Sequence, residues 1–305
     1  MFRTFSIITI AVATLTLFSG ASCHERGAAQ PVPQQTANPN AAIEANIQRL
    51  REAQGRLSKN PKDQEALSVF RALLKDSNGI NRSNAAAVLG EVAEENGAAI
   101  SADFVPMLID LLKHGDDFDQ YAAIKALRGF GANATEAIPI LRDNLASPDA
   151  QKAWLAAEAL GRMKGSASEA VPDLIKIIKA NQAQCLEELP NNCKFATWAL
   201  GNIGPAARAT IPDLVSLLNH QNPYLRIYIA VALIRIEPNN REALPALSGL
   251  LKDPNVDVRR HTLWELRDIG KQARPAKSII EDSLRDSDSE VRDTAATVLK
   301  SLDNN

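Results

Sequence analysis

Hydrophobic and polar positions along this chain recur as a unit. An apolar-Pro-x-apolar run appears at Val105-Pro106-Met107-Leu108, Ile138-Pro139-Ile140-Leu141, Val171-Pro172-Asp173-Leu174, Ile211-Pro212-Asp213-Leu214 and Leu244-Pro245-Ala246-Leu247. The prolines stand 33, 33, 40 and 33 residues apart. A second signature follows each of them: Ala126-Leu127, Ala159-Leu160-Gly161, Ala199-Leu200-Gly201, Ala232-Leu233 and, in altered form, Glu265-Leu266. Self-similarity at a fixed period of this size marks a solenoid. Each unit predicts two helices. Proline suits the first turn of the first helix, where its missing N–H has no intrahelical partner. A short polar turn follows, as in Asp253-Pro254-Asn255, and the second helix ends near glycine at Gly131, Gly204 and Gly270. Second-helix leucines at 89, 127, 160, 200, 233, 266 and 299 give seven units. The first is degenerate, and the last carries Ser278 in place of the proline, as expected of terminal repeats with one polar face. Upstream, Ile43, Ile47, Leu50 and Leu57 share one helical face, a cap helix over 41–61 ahead of a solenoid over 62–305.

The phrases "LLKDPNVDVRRHTLWELRDIG" (250–270), "NLASPDAQKAWLAAEALGRMKG" (144–165) and "SLRDSDSEVRDTAATVLKSL" (283–302) resemble the HEAT-repeat family in its short bacterial form. The resemblance covers roughly residues 62 to 303. It implies an all-α fold, a right-handed α-solenoid of about seven HEAT-like helix pairs, whose second helices line the concave surface. Tetratricopeptide repeats have a similar period, but their Trp–Leu-Gly–Tyr first-helix signature is absent.

Counting from the second-helix leucine as zero, positions −1, −4, −8 and +3 fall together at about 100° per residue. They hold Ala123, Ala126, Ala156, Ala159, Ala196 and Ala199 and define the buried face. Positions −6 and −2 point the other way: Tyr121, Trp154 and Ile227 at −6, Trp198, Val231 and Trp264 at −2. With neighbouring helices about 10 Å apart, these side chains can form one apolar strip, fringed by Lys125, Arg128, Lys194, Arg260 and Arg267. Trp and Arg are enriched at contact centres, so the strip is a candidate seat for a partner protein or peptide. The alternative is structural: tight curvature packs these residues on the adjacent helices. Arg226, Arg259 and Arg292, at −7, are expected to pair with acids or carbonyls along the stack.

Composition narrows the classes. Of 305 residues, 48 are alanine and only 5% are aromatic, which suits closely packed helices. A net charge of −2 supplies no basic face for phosphates, so nucleic acid is not an expected partner. At the N-terminus, Arg3, the apolar run Phe5–Phe18 and the small residues before Cys23 have the order of an export signal over 1–22. Gly20-Ala21-Ser22-Cys23 resembles a bacterial lipobox, which would make Cys23 a lipidated N-terminus. Gly20 stands where leucine is usual, which leaves ordinary cleavage after Ala21 or Ser22 open. Residues 23–40 read as a Pro- and Gln-rich tether. The expected address is therefore the periplasm or the outside of a membrane, with the membrane met only through the signal or lipid. No motif sets an oligomeric state.

The 40-residue spacing marks seven extra residues in "KANQAQCLEELPNNCK", where Cys185 and Cys193 fall. In an exported protein the two suit a disulfide across a short loop, and two free thiols are the alternative. No other cysteine or histidine lies near enough for a metal.

The resemblance also raises two enzymatic readings, a bilin lyase of light-harvesting antennae and the deoxyhypusine hydroxylase. The hydroxylase resemblance requires His-Glu dyads at −6 and −5. Those slots hold Ser83-Asn84, Tyr121-Ala122, Trp154-Leu155, Lys194-Phe195, Ile227-Tyr228, Arg260-His261 and Asp293-Thr294, so the iron ligand set is absent. A bilin lyase would work in the cytoplasm, against the export signal. His114, His220 and His261 occupy different units and slots, and no phosphate loop or nucleophile triad is present. The chain reads as a non-enzyme without metal or cofactor, and its three classes are a binding scaffold, a divergent HEAT-like enzyme and a structural spacer.

Overall fold

Short polar side chains and prolines set the helix starts. The computed structural model describes residues 39–180 and 192–303, all helix and turn, with no strand among them. After α1 (Pro39–Lys59) come seven pairs: α2 (Gln64–Leu73) with α3 (Gly79–Asn96), α4 (Val105–His114) with α5 (Asp117–Phe130), α6 (Ile138–Leu145) with α7 (Ala150–Arg162), and α8 (Val171–Ala180) with α9 (Asn192–Ile203). The last three are α10 (Ile211–Leu217) with α11 (Pro223–Ile236), α12 (Ala243–Gly249) with α13 (Val256–Ile269), and α14 (Lys277–Asp282) with α15 (Ser289–Asp303). These helices belong to one unit, Asn40–Asn305. The expected all-α repeat solenoid is the fold.

The turn residues of the repeat are N-caps. Asn78, Asp116, Asp149, Asn222 and Asn255 accept backbone N–H bonds from the first turns of α3, α5, α7, α11 and α13. Asp288 accepts from Val291 N–H in the same way at α15. Each satisfies a donor that the helix itself cannot and contributes about 1 kcal/mol.

The far ends of several second helices share a backbone device. Gly97, Gly131 and Gly270 close α3, α5 and α13 at φ 56°, 51° and 59° with ψ between −126° and −132°, a region open essentially to glycine. A tight turn then delivers the chain to the next first helix. In unit three the corresponding position is Lys164, at φ 54°.

Interlocking of units follows from small residues and from arginines. Ala123, Ala126, Ala156, Ala159, Ala196 and Ala199 are completely buried. A β-carbon on Gly129 would lie 2.2 Å from the carbonyl oxygen of Gly90, so α3 and α5 cross with backbone nearly touching backbone. Second helices contact one another all along the stack, whereas successive first helices meet far less. A two-layer array drawn in on one side bends toward that side, which puts the second helices on its inner face.

The −7 arginines tie turn to turn. Arg82 donates to the carbonyls of Asp76 and Ser77, both at 2.9 Å, and to the buried Asp119 carboxylate of the next unit at 2.6 and 2.9 Å. Arg259 repeats this with the Asp253 and Pro254 carbonyls and with Asp286 at 2.8 Å. Arg226 bonds the His220 carbonyl and faces Asp253, and Arg292 bonds the carbonyls of Asp286 and Ser287. Units two to four hold Gln120, Ala153 and Cys193 in that slot. There Lys152 bridges back to Asp117 and Gln120 of the preceding unit.

Relieving the strained lysine should strengthen the fold. Lys164→Gly is expected to raise stability by about 1 kcal/mol, seen as a higher urea midpoint at unchanged slope. An unchanged or lower midpoint would contradict the strain.

Candidate functional site

The inner face is not one continuous strip. Its recess is a cavity of about 290 Å³ between α7, α9, α11 and α13, walled by Glu158, Lys194, Trp198, Tyr228, Arg235 and Glu265 among others. Glycine makes the room. The Trp198 ring reaches back from α9 onto Gly161 of α7, where a β-carbon would meet it at 2.6 Å. Gly201 faces Ala232 in the same way one helix further on.

The residues expected on the strip divide into several groups. Trp198 and Lys194 line the cavity. Trp154 is half-buried and stacks on Phe195, centroids 4.8 Å apart, so it spans α7 and α9. Trp264 is the open one, 41% exposed beside His261. Tyr121 donates its hydroxyl to Asp149, the N-cap of α7, beneath the ammonium of Lys152. That bond, reinforced by desolvation and the carboxylate's charge, pushes the Tyr121 hydroxyl up to about 12 and holds Asp149 below its usual range.

Ile227 is a correction. It is fully buried, and Val231 nearly so, because apolar residues run round most of α11, Arg226 and Arg235 excepted, and neighbouring helices cover them. An outward phase read from spacing does not place a side chain in solvent when the helix has no solvent face there.

Two of the basic fringe, Arg128 and Arg260, are spent on ion pairs. Arg128 bridges Glu158 at 3.2 Å and Glu94 at 3.3 Å, and Arg260 pairs with Asp257 and Glu290. Lys194 lies over the Tyr228 ring, 5.3 Å from its centroid. Lys125 is half-buried and Arg267 exposed, and neither makes an ion pair among the described residues. Cys193 is fully buried at the start of α9, while Cys23 and Cys185 lie outside the described residues. No group of three or more metal-ligating side chains occurs among the described residues.

Sequence reasoning missed Glu265, His261, Tyr228 and Arg235. The signal for Glu265 was present: at −1 the seven units hold Val88, Ala126, Ala159, Ala199, Ala232, Glu265 and Val298. Glu265 puts a carboxylate where every other unit has a small apolar side chain. One turn back on α13, His261 is wedged edge-on against Tyr224 and Tyr228, centroids 5.9 and 5.5 Å away. Its Nε2 is 3.6 Å from Glu265 Oε1, an ion-pair distance if the ring were protonated. Burial, with the Lys194 charge adding to it, instead lowers the imidazole to about 4. Burial is also the main force raising the Glu265 carboxyl, with Asp268 adding to it. Arg235 and Lys194 oppose that rise, and a neutral ring faces a partly desolvated carboxyl.

Comparison with known proteins fixes the class. Residues 70–161, 105–188, 184–267 and 211–300 match the HEAT repeats family, together most of the chain, so the protein belongs to the HEAT-repeat family. No curated protein matches it. Among solved structures it is similar to the complex of CpcE and CpcF of phycocyanin lyase from Nostoc sp. PCC7120, at 24% identity and TM-score 0.51, over 77% of this chain and 94% of that one. It is also similar to an engineered protein, at 24% identity and TM-score 0.44, over 77% of this chain and 95% of that one.

A pH test follows from His261. Its folded pKa lies below the unfolded value near 6.5, so the unfolded chain takes up the proton first. The stability it contributes is complete above pH 6.5 and is lost as pH falls toward about 4. NMR should show the ring neutral at pH 5.5. In His261→Gln the urea midpoint should fall less steeply over that window. Glu265 acts in the opposite sense, since its raised pKa gives stability at low pH that is lost as pH rises through the folded value. A His261 ring protonated at pH 5.5 would refute the assignment.

Proposed function

We propose that this chain is a binding scaffold that holds a partner protein or peptide on the inner face of its second helices. The supporting observation is the cavity where Trp198, Tyr228 and Glu265 from three successive units meet, with Trp264 exposed beside His261 on the same helix as Glu265. Pockets for recognition are concave and mostly apolar with a few polar groups, and this one has that make-up. The reading is one of binding without catalysis: Glu158 is engaged by Arg128 and Arg235 by Asp268. The likeness to the phycocyanin lyase complex is one of fold, and nothing of that complex's activity is carried over.

Export belongs to the same proposal. Its support is the order Arg3, Phe5–Phe18 and Gly20-Ala21-Ser22-Cys23, with Cys23 lipidated and residues 23–40 as the tether. No described helix is long and apolar enough to cross a membrane. The pairing of Cys185 with Cys193 is part of this reading, since export is what makes a disulfide feasible.

Two experiments test the proposal. Full-length protein carrying both Trp198→Ala and Trp264→Ala should capture its partner from envelope extracts roughly tenfold less well or worse, as loss of aromatic contact centres implies. Lys176→Ala, on an exposed position of a first helix, should capture normally, and both variants should keep their helical circular dichroism. Undiminished capture by the double variant would reject the groove. Intact mass of the native protein should show a chain that begins at Cys23 and carries lipid. An unmodified chain beginning at Ser22 or Cys23 would assign conventional cleavage instead.

A further inference from the structure

Glu265 is the odd charge of the inner face, and its surroundings say what it is missing. Its slot is occupied by alanine or valine in the other six units, and its carboxylate opens into the cavity beside Val231, Ala232 and Trp198. Among the described residues it accepts no hydrogen bond, and its one charged-type contact is His261 at 3.6 Å. That imidazole is held neutral by burial and by Lys194, so it does not balance the charge. Arg235 and Lys194 act on the carboxylate through space from the cavity wall. Arg235 is shared with Asp268, Lys194 lies over the Tyr228 ring, and neither is within ion-pair distance of the carboxylate among the described residues. A carboxylate partly withdrawn from water in a largely apolar recess gains from pairing with a docked cation. The aromatic faces of Trp198 and Tyr228 suit the same guest, because ring quadrupoles attract ammonium and guanidinium groups. A cavity of about 290 Å³ is at the small end for a ligand and holds one large side chain.

We propose that this cavity receives a lysine or arginine side chain of the bound partner, with Glu265 as its anionic counterpart and Trp198 as its aromatic wall. The inference rests on the reading of the inner face as a partner-binding surface. Within it, Glu265 selects the partner by charge, and the exposed Trp264 contributes contact area without that selectivity.

The test uses full-length protein and reads the Trp198 indole N–H by NMR, assigned through Trp198→Phe. The probes are Nα-acetyl-lysine amide, Nα-acetyl-arginine amide, the neutral Nα-acetyl-norleucine amide and the anionic Nα-acetyl-glutamate amide. The two cationic probes should bind roughly tenfold more tightly than norleucine amide, the scale of one charge-assisted contact. Glu265→Gln should abolish that preference while leaving the weak norleucine response. Glu265→Ala, which restores the residue of four other units, gives the same reading should the glutamine variant fold poorly. Equal binding of norleucine amide, tighter binding of glutamate amide, or a cation preference that survives both substitutions would overturn the proposal. If the cationic probes show no preference while capture still depends on Trp198 and Trp264, this inference fails and the binding reading stands. Capture independent of both tryptophans defeats the binding reading itself.

Discussion

The closeness of one second helix to the next is the constraint on which the rest of this structure depends. Backbones that approach as nearly as Gly90 and Gly129 do leave no volume for ordinary side chains. The interior positions of the inner layer are therefore alanine or glycine over much of the array. Dispersion and apolar burial are then gained through many small contacts rather than a few large ones. The alanine excess and the scarcity of aromatics are two sides of that condition. Curvature follows as well, because the first helices, with bulkier leucine and isoleucine faces, are held further apart.

Against such a background a large side chain on the inner layer has few places to go. Trp198 lies over a glycine, Trp154 lies over a phenylalanine from the next helix, and Trp264 stands in solvent. The three tryptophans share a phase on the helix and differ in fate because their neighbours differ. The cavity is the space left where one such ring leans back and the following helix, α11, offers Val231 and Ala232 in reply.

This explains what the sequence disclosed and what it withheld. Proline spacing and the Ala-Leu-Gly signature gave the helix pairs directly, since start, stop and buried face are local properties of each unit. The turn asparagines and aspartates were visible as turn formers, and their capping role is the same chemistry seen from the helix. The −7 arginines were legible too, because a long cation at a turn has carbonyls within reach. The strip was only half legible. Ile227 had the right phase, but neighbouring helices cover it completely, a fact that belongs to those neighbours rather than to its own spacing. Glu265 was visible as an irregular residue in an alanine slot. Its meaning required knowing that Trp198 and Arg235 from two neighbouring helices line one cavity with it, and that His261 of its own helix touches it.

Each unit thus carries its own start, cap and stop, and it holds to its neighbours through positions −7, −4, −1 and +1. What it displays toward the groove comes mainly from −6 and −2, joined by Tyr228 at −5 and Arg235 at +2. Attachment and display are written in different letters, so an array of this kind can drift in what it binds without loosening how it stacks. Glu265 breaks that separation. It sits in an attachment slot and looks into the groove, so a change at this one position is felt by the stack and by the guest together.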